Sequence, residues 1–383
     1  MEIKIVVNEI LPQLSSVCAM VGAKNILPIL DNVLFLPYVD ETAGDKNVAM
    51  TTSDNESWFT VSAPVVDFTG DAKPFCVNAK DILQTLRGLK DENVTLSVDF
   101  DAKAICGIYS NGKFTLAIAD ADDFPTATAT SGETKNVTMK ASALSDGLKS
   151  VSYAMGNDAL RPVMNGVHVD FNAPSAVFVA SDGHRLVKRS VDFNEADNDE
   201  RGFIINRTPV NTLLNALQML EADTLVDIKY NEMNVTFTAP SFKLTSRLVE
   251  GKYPNYNMVI PDDGEQKAMI RVDAIKTAIN RVLPSSNLSS GLVVLSFANN
   301  YVTVKAEDID FAKSASEVIE CEYDGEPLVI GFKGAFLLQG VSSLNTERCC
   351  IVMNGGNKAA KLLHDDDVNG LGYVAIIMPM IVD

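Results

Sequence analysis

One helical face is written three times in this chain. Ile10, Leu14 and Val17 are followed by Leu144, Leu148 and Val151, and then by Ile275, Ile279 and Val282. Each set is spaced by four and three residues, the stride of a single apolar stripe on a helix. The copies recur at roughly a third of the 383 residues, too far apart for a solenoid repeat of about 20 to 50 residues. A unit of that size is a small domain of about 100 to 150 residues, so the pattern predicts three consecutive domains of one fold.

Further landmarks keep the same order. Pro28-Ile29-Leu30-Asp31-Asn32-Val33 returns as Pro162-Val163-Met164-Asn165-Gly166-Val167. Three acidic turns follow, at Thr52-Ser53-Asp54-Asn55-Glu56, Ala180-Ser181-Asp182-Gly183-His184 and Ala306-Glu307-Asp308-Ile309-Asp310. A second helix is expected after Val77-Asn78, after Ile205-Asn206 and after Ile330-Gly331. A strand built on Phe114, Leu116 and Ile118 and ending at Phe124-Pro125 matches one built on Phe242 and Leu244 and ending at Tyr253-Pro254.

Period-two alternation in Val94-Thr95-Leu96-Ser97-Val98, Val235-Thr236-Phe237 and Val302-Thr303-Val304 marks strands between the helices. Asn111-Gly112 suits a tight hairpin, and Asn369-Gly370 is a second turn signal. Two helices and about eight strands per unit give an α+β fold with the helices on one face of antiparallel sheet. Boundaries are expected near residue 129, in the Thr- and Ser-rich stretch from Thr126 to Ser131, and near Asp262-Asp263-Gly264. The domains then span residues 1–129, 130–261 and 262–383.

Hydrophobic residues make up 46% of the chain, enough for three filled cores. Met1-Glu2-Ile3-Lys4-Ile5 lacks the layout of a signal peptide, and no apolar run approaches the roughly 20 residues of a membrane span. Cys18, Cys76, Cys106, Cys321, Cys349 and Cys350 show no C-x-x-C spacing, and there are three histidines. Reduced cytoplasmic thiols and no structural metal are expected, with Cys349-Cys350 lying in a buried strand.

The net charge is −18, from 50 acidic and 32 basic residues. Taken alone, that argues against gripping nucleic acid by neutralising phosphates. Basic residues nevertheless gather on or beside the predicted helices: Lys24, Lys80, Arg87, Lys90, Lys149, Arg207, Lys276, Arg281 and Lys333. The acidic excess falls in loops such as the run from Asp192 to Glu200. The helices therefore offer a basic surface on an acidic protein.

Ser181-Asp182-Gly183-His184-Arg185-Leu186 contains the residue types of a catalytic triad. Neighbours in an extended turn diverge, so these residues do not form a relay with one another. Nucleotide, hydrolase and metalloprotease signatures are missing from the sequence, and neither catalysis nor a cofactor is expected. The C-terminal run Tyr373 to Met380 reads as a buried strand followed by Met378-Pro379-Met380, a flexible apolar surface suited to partner peptides.

In these segments the whole chain resembles the bacterial DNA polymerase III beta subunits, the DNA sliding clamps. The resemblance is carried by Leu27-Pro28-Ile29-Leu30, Asp123-Phe124-Pro125, Arg161-Pro162-Val163-Met164-Asn165-Gly166-Val167, Ser181 to Leu186, Gly251-Lys252-Tyr253-Pro254-Asn255-Tyr256 and Tyr373 to Met380. It implies a head-to-tail homodimeric ring of six similar domains, this chain being half, with helices lining a hole around duplex DNA. Such a ring is a non-enzymatic processivity factor that slides without reading sequence and tethers the replicative polymerase, the clamp loader, and repair polymerases and mismatch repair proteins.

Carried over residue by residue, the partner groove implied is Met164, Ser181, Gly183, His184, Arg185, Leu186, Pro254, Val259, Ile376, Met378, Pro379 and Met380. Lys24 and Arg161 match positions near DNA, and Lys149 joins them by its helix placement. Val282 and Leu283 resemble the apolar contacts of the ring interface, although their helical register also suits a domain core. Two departures remove positive charge beside the groove: Ile381-Val382-Asp383 replaces a basic ending, and Met258 stands where a basic residue is common. Acidic residues in partner peptides should therefore help less here. Two other readings stay open, a β-rich interaction scaffold never threaded on DNA and a hydrolase using Asp182 and His184.

Overall fold

The computed structural model describes residues 1–383 apart from 23, 24, 42, 91, 128, 129, 131, 132, 173, 194–198, 262, 263, 265, 368, 369, 371 and 383. Lys24, Asn369, both expected domain boundaries and the centre of the acidic loop after Asp192 thus fall wholly or partly outside the described residues. Among the described residues are six α-helices: α1 (Val7–Cys18), α2 (Ala79–Arg87), α3 (Ala141–Ser152), α4 (Arg207–Leu217), α5 (Val272–Val282) and α6 (Gly334–Ser342). No helix among them is long and apolar enough to cross a membrane.

The three repeated stripes are the buried faces of α1, α3 and α5: Ile10, Leu14, Val17; Leu144, Leu148, Val151; Ile275, Ile279, Val282. Each first helix follows directly on a strand, at Glu2–Val6, Lys135–Lys140 and Gln266–Arg271. The second helices begin after Phe75–Asn78 and Asp199–Asn206, as expected. The third differs, because strand Leu328–Lys333 stays paired with Leu292–Ala298 as far as Lys333, so α6 starts at Gly334 rather than after Gly331. Asn78 caps α2 by accepting from Lys80 N (3.1 Å) and Asp81 N (3.2 Å), meeting two amide donors that the first turn leaves free.

All three acidic segments form hairpin turns, joining Lys46–Ser53 to Ser57–Pro64, Ser175–Ser181 to Arg185–Asp192, and Tyr301–Asp308 to Lys313–Glu320. The hairpin near Asn111 is tight, but its two loop residues are Ser110 and Asn111, with Gly112 already paired to Tyr109. In Val235-Thr236-Phe237 both faces are covered, since Thr236 is buried and its hydroxyl meets those of Thr130 (2.9 Å) and Thr245 (3.1 Å).

The chain forms two compact units. One holds residues 1–142 and 208–248, built on a 13-stranded sheet in which strand Phe242–Arg247 pairs antiparallel with Ser57–Pro64. There α1 packs on α2 and on the strands Lys46–Ser53 and Ser57–Pro64. The other holds residues 143–207 and 249–383, with one eight-stranded and one four-stranded sheet; α5 packs on α6 and on strands Tyr301–Asp308 and Lys313–Glu320. The middle repeat is divided between the units because sheet hydrogen bonds continue across the repeats.

Cys349 and Cys350 lie in the buried strand Arg348–Met353. Burial pushes the Cys349 thiol up to about 12 and raises Cys350 as well, so both stay protonated and unreactive.

Candidate partner-binding groove

One strand pairing brings together the segments expected to form the groove. Arg185–Asp192 runs antiparallel to Tyr373–Ile377, placing Arg185 opposite Ile377 and Leu186 opposite Ile376. The ladder continues one step past both strands, where Met378 N donates to His184 O at 2.9 Å. That bond sets the His184 turn beside the Met378-Pro379-Met380 tail. The tail is then tied to the four-stranded sheet, with Met380 N donating to Gly331 O at 2.8 Å.

The turn is locked by its own side chains. Asp182 Oδ1 accepts from His184 N (2.9 Å) and Arg185 N (3.0 Å). Ser181 Oγ donates to Arg185 O (2.7 Å) and accepts from Gly183 N (3.1 Å). Gly183 sits at φ +89°, in the left-handed region that favours glycine. The Ser, Asp and His that suggested a triad are therefore turn-forming residues, and the Asp182 carboxylate bonds to backbone and to Arg185 rather than to an imidazole.

Arg185 is the surprise. Its side chain is 8% exposed, and its guanidinium donates to Asp182 Oδ2 (3.0 Å), to Gln339 Oε1 and to Tyr153 O (2.6 Å). It also lies 4.3 Å from the Phe336 ring centroid and 5.3 Å from that of Tyr153, a cation–π geometry. Arg185 thus ties the turn to α6 and to the segment after α3. Burial raises the Tyr153 hydroxyl, which lies 3.3 Å from that of Tyr373.

Leu186, Ile376 (4% exposed) and Tyr253 form a buried core, with Val163 against it. Ser181, Arg185, Leu186 and Ile376, expected as groove residues, are buried. The accessible lining comes from Met164, Gly183, His184, Pro254, Val259, Met378, Pro379 and Met380, with Val259 58% and Met378 51% exposed. Tyr153, Phe336 and Gln339 were not singled out from the sequence, since nothing local links them to Arg185. Met258 and Ile381 are both exposed.

Comparison with known proteins decides the family. The N-terminal, central and C-terminal domains of the DNA polymerase III beta subunit match residues 1–128, 138–255 and 257–381. The chain belongs to the DNA polymerase III beta subunit family. It is a sliding clamp, a processivity factor of DNA replication. Among its relatives are the beta sliding clamps of Pseudomonas aeruginosa, 27% identical over 97% of both chains, and of Synechocystis, 27% identical over 96% of both. The solved DnaN sliding clamp of Pseudomonas aeruginosa bound to griselimycin is 26% identical with a TM-score of 0.90, covering all of both chains. That of Bartonella birtlesii bound to griselimycin is 26% identical with a TM-score of 0.89 over the same coverage.

The helices among the described residues carry six basic residues against four acidic ones, whereas the whole chain stands at −18. Lys149 is exposed in the last turn of α3. Arg161 pairs with Asp158 at 2.9 Å, and a Cβ on Gly183 would stand 2.8 Å from its guanidinium. Arg161 therefore lies against the groove turn. Val282 is 1% exposed in the single chain, on the inner stripe of α5, the domain-core register that the sequence also allowed. Leu283, the next residue, is half-buried near Gly334.

Proposed function

We propose that two copies of this clamp close head to tail into a ring, each chain contributing three domains at residues 1–129, 130–261 and 262–383. One observation supports closure most directly. Strand Ser57–Pro64 of the first repeat pairs with Phe242–Arg247 of the second, and Arg185–Asp192 of the second pairs with Tyr373–Ile377 of the third. Both junctions join the strand after an acidic turn to the last long strand of the next repeat. The third repeat's strand after its acidic turn, Lys313–Glu320, is a sheet edge among the described residues. The first repeat's last long strand, Gly112–Ala119, has a partner on its second side at Ile118 and Ala119 alone among the described residues. A second copy supplies the missing pairing at both ends, and heterologous contacts of this kind close a ring.

Within that ring the basic helical surface faces phosphate through residues such as Lys149, and Lys24 by its family position, while the net negative charge limits long-range attraction. The ring then slides, because contacts to phosphate carry no sequence information. The groove at His184, Pro254, Val259 and Met378 to Met380 accepts short apolar peptides of the polymerase, clamp loader, repair polymerases and mismatch repair proteins. The protein works in the cytoplasm and catalyses no reaction.

The test loads labelled clamp onto nicked circular DNA with its cognate loader and ATP, removes free protein and cuts the circle once. The clamp is expected to leave on linearisation. Retention after cutting would mean ordinary binding and sink the ring mechanism.

A further inference from the structure

The wall of the groove that carries Pro254 and Val259, residues 249–260, is held to the eight-stranded sheet largely by side chains. Its backbone gives Val249 N to Ile204 O (2.9 Å), and the turn Tyr256–Val259 has one long bond, from Met258 N to Asn255 O (3.4 Å). Beside the apolar packing of Tyr253 with Leu186 and Ile376, two further anchors reach strand Gly166–Asn172. The Tyr253 ring stacks on His168 with centroids 4.8 Å apart and planes 4° from parallel. Tyr256 donates its hydroxyl hydrogen to Asp170 Oδ2 at 3.2 Å, and His168 Nε2 stands 3.1 Å from the same oxygen.

Both members of the pair are withdrawn from water, each side chain being 12% exposed. The neighbouring strand makes room for them, since a Cβ on Gly202 would fall 1.9 Å from Asp170 Oδ1. Lys188 adds a cation 6.0 Å from the Tyr256 ring. Burial, helped by Asp170, pushes the Tyr256 hydroxyl up to about 12, so it remains a donor. A withdrawn carboxylate holds strongly to the few donors it has. Two of these contacts lead into the wall, one directly through Tyr256 and one through the imidazole stacked on Tyr253.

We propose that His168 and Asp170 are positioning residues for the partner groove, fixing the wall that presents Pro254 and Val259 and so setting how tightly an apolar peptide is held. The inference rests on the groove reading above. Neither residue touches the peptide, and both act through Tyr253 and Tyr256.

The experiment measures anisotropy of a fluorescein-labelled hexapeptide with leucine and phenylalanine side chains, on the full-length clamp. It compares the wild type with His168→Phe, His168→Gln, Tyr256→Phe and the groove variant Met378→Asp, and follows tryptic cleavage after the exposed Lys252 in each. His168→Phe keeps a ring on Tyr253 but loses the nitrogen facing Asp170, so Kd should rise about tenfold, with faster cleavage after Lys252. Tyr256→Phe, the mildest change, should do the same, and His168→Gln, which restores an N–H donor, should recover most of the affinity. Unchanged affinity and cleavage in both phenylalanine variants would overturn the positioning role while leaving the groove intact. If the wild type failed to bind, or Met378→Asp bound normally, the groove reading would fall and take this inference with it.

Discussion

Arg185 shows how much of the candidate groove depends on a buried side chain. Truncating it removes the guanidinium donor from Asp182 Oδ2, Gln339 Oε1 and the Tyr153 carbonyl, and breaking a buried pair from one side costs about 3–5 kcal/mol. Arg185→Met should therefore lower unfolding free energy by about that amount in a urea titration, and peptide binding should fall with it. Its partners stand 32 and 154 residues away in sequence, which is why the motif marked the residue without revealing its role. Met258 and Ile381 are the opposite case, exposed positions whose missing charge is legible from sequence. Met258→Arg should tighten an acidic partner peptide about threefold at low ionic strength, and the gain should vanish in high salt, as for any exposed charge. A salt-independent gain would assign the effect to packing instead.

Elements were legible where one face repeats and illegible where a neighbour sets the limit. The stripes of α1, α3 and α5 could be read directly, because burial at four-three spacing follows from helix geometry alone. The start of α6 could not, since the strand before it continues for as long as Leu292–Ala298 pairs with it. A glycine in α3 illustrates the same limit. Replacing a mid-helix glycine with alanine ordinarily stabilises by about 1 kcal/mol, yet a Cβ on Gly147 would lie 2.4 Å from the buried Phe178 ring. Gly147→Ala should therefore destabilise, by about 1–3 kcal/mol as overpacking does, and a raised thermal midpoint would contradict the contact. Strand Ala360–His364 carries a second consequence. His364 stacks on Tyr373 with centroids 4.7 Å apart, and burial, then Arg189, lowers its pKa below the ordinary 6.5. A depressed histidine is neutral in the fold and takes up its proton more readily when unfolded. Its contribution is present above about pH 6.5 and is lost as pH falls below that. His364→Phe keeps the stack and should flatten the loss of thermal stability between neutral and mildly acidic pH relative to the wild type.

At the scale of the molecule the repeat announced three domains, but the way they join was hidden, because strand pairing between repeats leaves no periodic mark in either strand. The junctions Ser57–Pro64 with Phe242–Arg247 and Arg185–Asp192 with Tyr373–Ile377 each use five residue pairs. A third junction of the same kind would draw strand Lys313–Glu320 of one copy against strand Gly112–Ala119 of the other. Val318 is exposed on the first of these strands, and Leu283 follows the helix that packs on it. Val318→Lys with Leu283→Asp introduces charge at the join without touching the inner stripe of α5. Light scattering should then report a monomer at concentrations where the wild type is a dimer, with circular dichroism unchanged, and DNA loading should be lost. Val282→Asp is the contrasting case: it places a carboxylate on a position 1% exposed, where an unpaired charge is costly whether or not a partner is present, so the chain itself should unfold. A double variant that stayed dimeric would move the interface elsewhere. A double variant that unfolded like Val282→Asp would show that this edge belongs to the core of one chain, leaving ring closure to another surface.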